Sequence, residues 1–81
     1  MIQPSQIRAA RGLLGINQTE LARRAKVGVA TVKRIESSGE SLRVTVETLL
    51  RLQRALEAAG ILFVPHDDAH GPGVRFKKRS S

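Results

Sequence analysis

The run Gln18-Thr-Glu-Leu-Ala-Arg-Arg-Ala-Lys-Val-Gly-Val-Ala-Thr-Val-Lys-Arg-Ile-Glu36 carries the clearest structural signal in the chain. It divides into two short segments of helical period joined by a tight turn. Leu21, Ala22 and Ala25 share one face of the first segment, and Val32 and Ile35 share one face of the second. Val27 lies between them, placed to plug the corner. Ala22 is small enough to let the second helix cross close by. With these residues turned inward, Val29, Ala30, Lys33 and Arg34 remain on the outside of the second helix.

Working outward, Pro4 suits the first position of an earlier helix, where no amide hydrogen bond is required. Ile7, Ala10 and Leu14 follow at helical spacing with Leu13 beside them, and Gly15 is placed to end the helix. Asn17 is a good N-cap for the next helix, with Glu20 in the capping-box position. The second helix should end near Ala25 and the third should run from Val29 to Ser37. Ser37-Ser-Gly-Glu-Ser41 is a loop by composition. Thr45 caps a fourth helix whose buried side is read as Val46, Leu49, Leu50, Leu52 and Leu56. Arg51, Arg54 and Glu57 form its wet side, and Gly60 stops it.

After Gly60 the period changes. Ile61-Leu-Phe-Val64 is short, apolar and partly β-branched, and it stops at Pro65, which reads as a strand. The polar run from His66 to Gly73 is a loop. Val74-Arg-Phe-Lys77 alternates apolar and basic residues as a half-buried second strand does. The expected architecture is mainly α: four helices over residues 1–60, then a pair of strands and a basic tail over residues 61–81. No internal repeat is visible.

Eighty-one residues make one small domain with a modest core. The net charge is +7, which points to a polyanion, nucleic acid before a membrane surface. The charge is concentrated. From Arg8 to Arg34 there are Arg8, Arg11, Arg23, Arg24, Lys26, Lys33 and Arg34 against the single acid Glu20. A helix-turn-helix with this basic, short-chained outer face is of a size to enter a DNA major groove. There is no cysteine, so no disulfide supports the core. The amino terminus has no apolar signal-peptide core and no run is long enough to span a bilayer, so a cytoplasmic protein with no membrane partner is expected.

Three segments at the right spacing, Gly15-Ile-Asn-Gln-Thr-Glu-Leu-Ala, Ala30-Thr-Val-Lys-Arg-Ile-Glu36 and Thr45-Val-Glu-Thr-Leu-Leu-Arg-Leu, make the chain from Ile7 to about Leu56 resemble the lambda-repressor and Cro-like helix-turn-helix family. The family is also named for the xenobiotic-response element. The resemblance implies a four-helix DNA-binding domain. It assigns Val29, Ala30, Thr31, Lys33 and Arg34 to base reading and Asn17, Gln18, Thr19 and Arg43 to DNA phosphates. It implies an ion pair between Arg11 and Glu36, for which a phosphate contact by Arg11 is the alternative. Departures are Lys26 where the family commonly has glycine, Gly28 where a hydroxyl residue usually caps helix three, and a longer loop from Ser37 to Val44. The family's usual fifth helix is missing, and strands stand in its place. Several small regulators and antitoxins of this family dimerise through C-terminal strands.

The function expected is therefore a sequence-specific transcriptional regulator, a repressor, binding a palindromic operator as a homodimer. The alternative is an antitoxin that binds a toxin protein and its own operator. Ile61, Leu62, Phe63 and Val64, with Val74 and Phe76 as a second apolar face, are assigned to dimerisation, while Arg75 and Lys77 stay outside. No cofactor is expected. His66, Asp67, Asp68 and His70 crowd together, but they read as a loop of turn formers rather than a metal site. No nucleophile, triad or carboxylate pair supports an enzyme. An RNA-binding platform lacks its aromatics, since the chain has two phenylalanines, no tyrosine and no tryptophan.

Overall fold

The computed structural model describes residues 2–37 and 44–77. In chain order these form α1 (Pro4–Leu14), α2 (Gln18–Ala25), α3 (Val29–Ser37), α4 (Val46–Ala58), β1 (Ile61–Val64) and β2 (Gly73–Phe76). Local chemistry sets the bounds. Pro4 opens α1, and Gly15, in the left-handed region at φ 69°, closes it. The Asn17 side chain accepts the Glu20 amide at 2.8 Å to cap α2, and Thr45 accepts the Thr48 amide at 3.1 Å to cap α4. Glu20 does not complete a capping box by turning back; its carboxylate goes forward to Arg23 and Arg24.

The core is a single cluster. Ile7 and Ala10 of α1, Leu21, Ala22 and Ala25 of α2, Val32 and Ile35 of α3, and Leu49, Leu52 and Leu56 of α4 meet in it. Two residues assigned to the buried side of α4 are not there: Val46 and Leu50 are exposed. Leu49, Leu52 and Leu56 define the buried line, and Val46 and Leu50 sit roughly 90° and 130° from its centre on a 3.6-residue helix.

The strands are antiparallel, with Ile61 opposite Phe76, Leu62 opposite Arg75, Phe63 opposite Val74 and Val64 opposite Gly73. The pairing begins one residue earlier than the alternation suggests, at Gly73 rather than Val74. It also puts Ile61, Phe63, Val74 and Phe76 on one face, so Val74 and Phe76 extend the first apolar face and do not make a second. That face packs on the helices, β2 against α1 and β1 against α4. Ile61 is fully buried in the core. Its side chain serves the core of the protomer. Phe76, although opposite Ile61, is 51% exposed.

Two polar contacts fasten the hairpin. The Lys77 amide donates to the Gly60 carbonyl at 2.8 Å, closing the ladder where the strands leave the helices. At the other end Gln6 of α1, itself buried, donates from Nε2 to the Gly73 carbonyl at 3.0 Å and the Val64 carbonyl at 3.3 Å. Its Oε1 accepts the Gln3 amide at 2.8 Å, so both ends of the side-chain amide are satisfied.

Candidate nucleic-acid interface

The turn between α2 and α3 is built from main-chain hydrogen bonds. The Val27 amide reaches the Ala22 carbonyl at 3.0 Å and the Lys26 amide reaches Arg23 at 3.3 Å, the pattern of a Schellman motif. Such a motif needs a left-handed residue, and here it is Lys26 at φ 58°. It is the one non-glycine residue with positive φ among the described residues, a conformation that costs a side chain about 1–2 kcal/mol. Gly28 then starts α3, its carbonyl accepting the Thr31 and Val32 amides.

This turn sets the rotation of α3. Val32, Ile35 and Glu36 are buried, Val29 and Thr31 are half-buried, and Ala30, Lys33 and Arg34 are exposed. Five neighbouring residues on the outer side thus offer two cations between small apolar or hydroxyl groups. The guanidinium of Arg34 and the ammonium of Lys33 have no hydrogen-bond partner among the described residues, so both can still meet a ligand.

A buried carboxylate fixes α3 from behind. Glu36 is 5% exposed. Its Oε1 and Oε2 accept Arg11 Nη2 and Nε, each at 2.9 Å, the two-pronged geometry of a strong guanidinium–carboxylate pair. Gln18 Nε2 adds a third bond to Glu36 Oε1 at 3.2 Å. Arg11 Nη1 also donates to the Ile16 carbonyl at 3.2 Å, and Arg8 donates to the Glu36 carbonyl. The Glu36 hydrogen bonds hold the Arg11 guanidinium's pKa above its ordinary value. Helices α1, α2 and α3 therefore meet at one carboxylate. Sequence reading gave Gln18 only an outward role. In the structure one of its amide hydrogens is committed to Glu36, which leaves the other on the same nitrogen for a ligand.

Asn17, Gln18 and Thr19 open α2, with Asn17 and Thr19 exposed and Gln18 half-buried. Asn17 Oδ1 is used by the cap, so its amide nitrogen is the group left to donate. Glu20, the acid that would oppose an anion here, is tied to Arg23 Nε at 2.9 Å and Arg24 Nε at 2.8 Å. Those bonds, Arg23 first, lower its pKa to about 2. Arg43 lies outside the described residues.

Arg51 lies on the exposed side of α4 but is not merely solvated. Its Nη1 donates to the Lys26 carbonyl at 3.2 Å and its Nη2 to Glu47 Oε1 at 2.8 Å. The spacing of Glu47 and Arg51 signals the second bond; nothing local signals the first. In the 66–70 loop, Asp67 Oδ1 accepts the Ala69 amide at 2.8 Å and the His70 amide at 2.7 Å. These backbone bonds, with one from the His70 ring, lower the Asp67 pKa. The carboxylate is spent on its own turn, and no group of three metal-ligating side chains gathers among the described residues. No helix among them is long and apolar enough to cross a membrane.

A helix-turn-helix family model matches residues 7–59, which takes in most of α1 and all of α2, α3 and α4 and stops short of the hairpin. No curated protein matches the chain. On that match, and on the four helices that carry it, the chain belongs to the lambda-repressor-like, or xenobiotic-response-element, helix-turn-helix family of DNA-binding transcriptional regulators.

Proposed function

We propose that the chain is a sequence-specific repressor that binds a palindromic operator as a homodimer. Helix α3 enters the major groove, with Val29, Ala30, Thr31, Lys33 and Arg34 at base edges and Asn17, Gln18, Thr19 and Arg43 at phosphates. The observation that carries this is the outer side of α3, where Lys33 and Arg34, whose charged groups have no partner among the described residues, flank a helix held on its inner side by Val32, Ile35 and Glu36. Arg34 suits a two-pronged contact with guanine, and Val29 and Ala30 suit thymine methyl groups.

Phe76 supports the dimer. It is large, apolar and half-exposed on a strand of a two-stranded sheet. The Lys77–Gly60 bond makes Ile61–Phe76 and Phe63–Val74 the non-hydrogen-bonded pairs of the ladder. The main-chain groups of Val74 and Phe76 then point to the outer edge of β2. A second copy related by a two-fold axis can pair with that edge and cover Phe76. Leu62, Phe63 and Val64 border the same sheet and complete the proposed contact. Such a dimer places two recognition helices about 34 Å apart.

Selection of bound duplexes from a random pool tests the reading. The expected product is an inverted repeat with half-sites about one helical turn apart, and binding that weakens steeply with salt. Recovery of unrelated sequences, or affinity indifferent to salt, would overturn it.

A further inference from the structure

We propose that Arg51 is a positioning residue for the reading helix. It acts from α4 by holding the carbonyl of the left-handed residue in the turn that aims α3. This rests on the reading of α3 as the DNA-contacting helix.

Three observations converge. First, the Schellman bonds use the amides of Lys26 and Val27 and leave the Lys26 carbonyl without a partner inside the turn. Arg51 Nη1 supplies that partner at 3.2 Å. Second, Lys26 occupies the left-handed conformation without being glycine, so the turn holds a residue that would relax elsewhere if released. Third, the guanidinium has a second anchor on its own helix. Glu47, one helical turn earlier on α4, accepts Nη2 at 2.8 Å and leaves Nη1 toward the turn. Packing of α4 on α2 sets the distance between them.

The consequence is mechanical. Only Lys26, Val27 and Gly28 connect α2 to α3. A turn that loosens lets α3 rock about its buried side, which misplaces Arg34 and Lys33 together. Arg51 itself reads nothing.

The test compares Arg51→Met, which keeps the aliphatic stem and removes the donors, with wild type in the full chain. Hydrogen exchange of the Val27 amide should rise about 3- to 10-fold, the worth of one hydrogen bond, while the amides of α1 do not change. Affinity for the duplex that the wild-type protein selects from a random pool should fall by about the same factor, and affinity for a random duplex much less. Arg51→Lys, which retains a donor, should fall between. Lys26→Gly should rescue: in that background Arg51→Met should cost less than about 2-fold, because glycine holds the left-handed turn unaided.

Unchanged Val27 exchange in Arg51→Met would overturn the proposal whatever DNA does. So would faster exchange with undiminished selectivity, or a loss that Lys26→Gly leaves intact. If wild type selects no sequence while Val27 exchange still rises, the clamp stands and the assignment of α3 to base reading falls. If Arg51→Met does not fold, Arg51→Lys with and without Lys26→Gly carries the same comparison.

Discussion

The helix-turn-helix and the hairpin are fastened to the same helix by different chemistry. Arg11 on α1 holds α3 through a carboxylate, with two bonds of 2.9 Å to buried Glu36. Gln6, little more than a turn earlier on α1, holds the hairpin through neutral bonds to the Gly73 and Val64 carbonyls. The charged fastening is short and directional, and it stands behind α3. The neutral one anchors a sheet that ends in a half-exposed phenylalanine. Helix α1 is thus a frame between the helix proposed to read DNA and a hairpin that keeps a half-exposed phenylalanine.

The charged fastening should be the more costly to break. Arg11→Met leaves Glu36 buried with Gln18 alone and should destabilise the chain by about 3–5 kcal/mol, measured by denaturant unfolding. Glu36→Leu should cost less, because the Arg11 side chain is 25% exposed and can turn to water. The double change should be milder than Arg11→Met alone. Strict additivity would mean that the pair does not act as a unit.

Within the hairpin, two residues that face each other across the ladder should separate fold from assembly. Ile61→Ala should cost about 2–4 kcal/mol of protomer stability, as loss of a core side chain does. Phe76→Ser should change protomer stability by less than about 0.5 kcal/mol. Sedimentation should nevertheless find Phe76→Ser monomeric, with affinity for a full inverted repeat reduced and affinity for a half-site kept. If it still sediments as a dimer, the interface lies elsewhere, and the exposed Val46 and Leu50 of α4 become the surface to vary.

The smallest effect expected is electrostatic. Glu20 has its pKa lowered from 4.5 to about 2 by Arg23 and Arg24. A depressed folded pKa means that the stabilisation is present above pH 4.5 and fades as pH falls toward about 2. The difference in thermal midpoint between wild type and Glu20→Gln should be small near neutral pH, since the cluster is exposed, and should vanish across that window. A gap that persisted in acid would assign the stabilisation to something other than the carboxylate's charge.

What the sequence made legible was local. Asn17, Gly15 and Thr45 mark helix ends through contacts within a few residues of themselves, and the apolar period fixes which side of α3 turns inward. Contacts between elements were not legible in that way. Arg11 and Glu36 lie 25 positions apart, and only the family resemblance suggested that they meet. Arg51 lies as far from Lys26, and its own helix offered it a nearer partner in Glu47. The faces of the strands were misread for a related reason. Alternation shows which residues share a face within a strand, but the register that put Phe76 opposite Ile61 depends on the turn and on α1. Val46 and Leu50 are apolar, which suggests burial, but they stand off the line that Leu49, Leu52 and Leu56 define.

The most direct test of the account is the affinity of Arg34→Ala for the selected inverted repeat and for a random duplex, measured side by side. If α3 reads bases, the selected site should lose about 1–3 kcal/mol per half-site with preference relaxed at one base pair of each half, and the random duplex should lose far less. Equal losses on both would show that Arg34 touches only phosphate and would contradict the assignment of α3 as the reading helix.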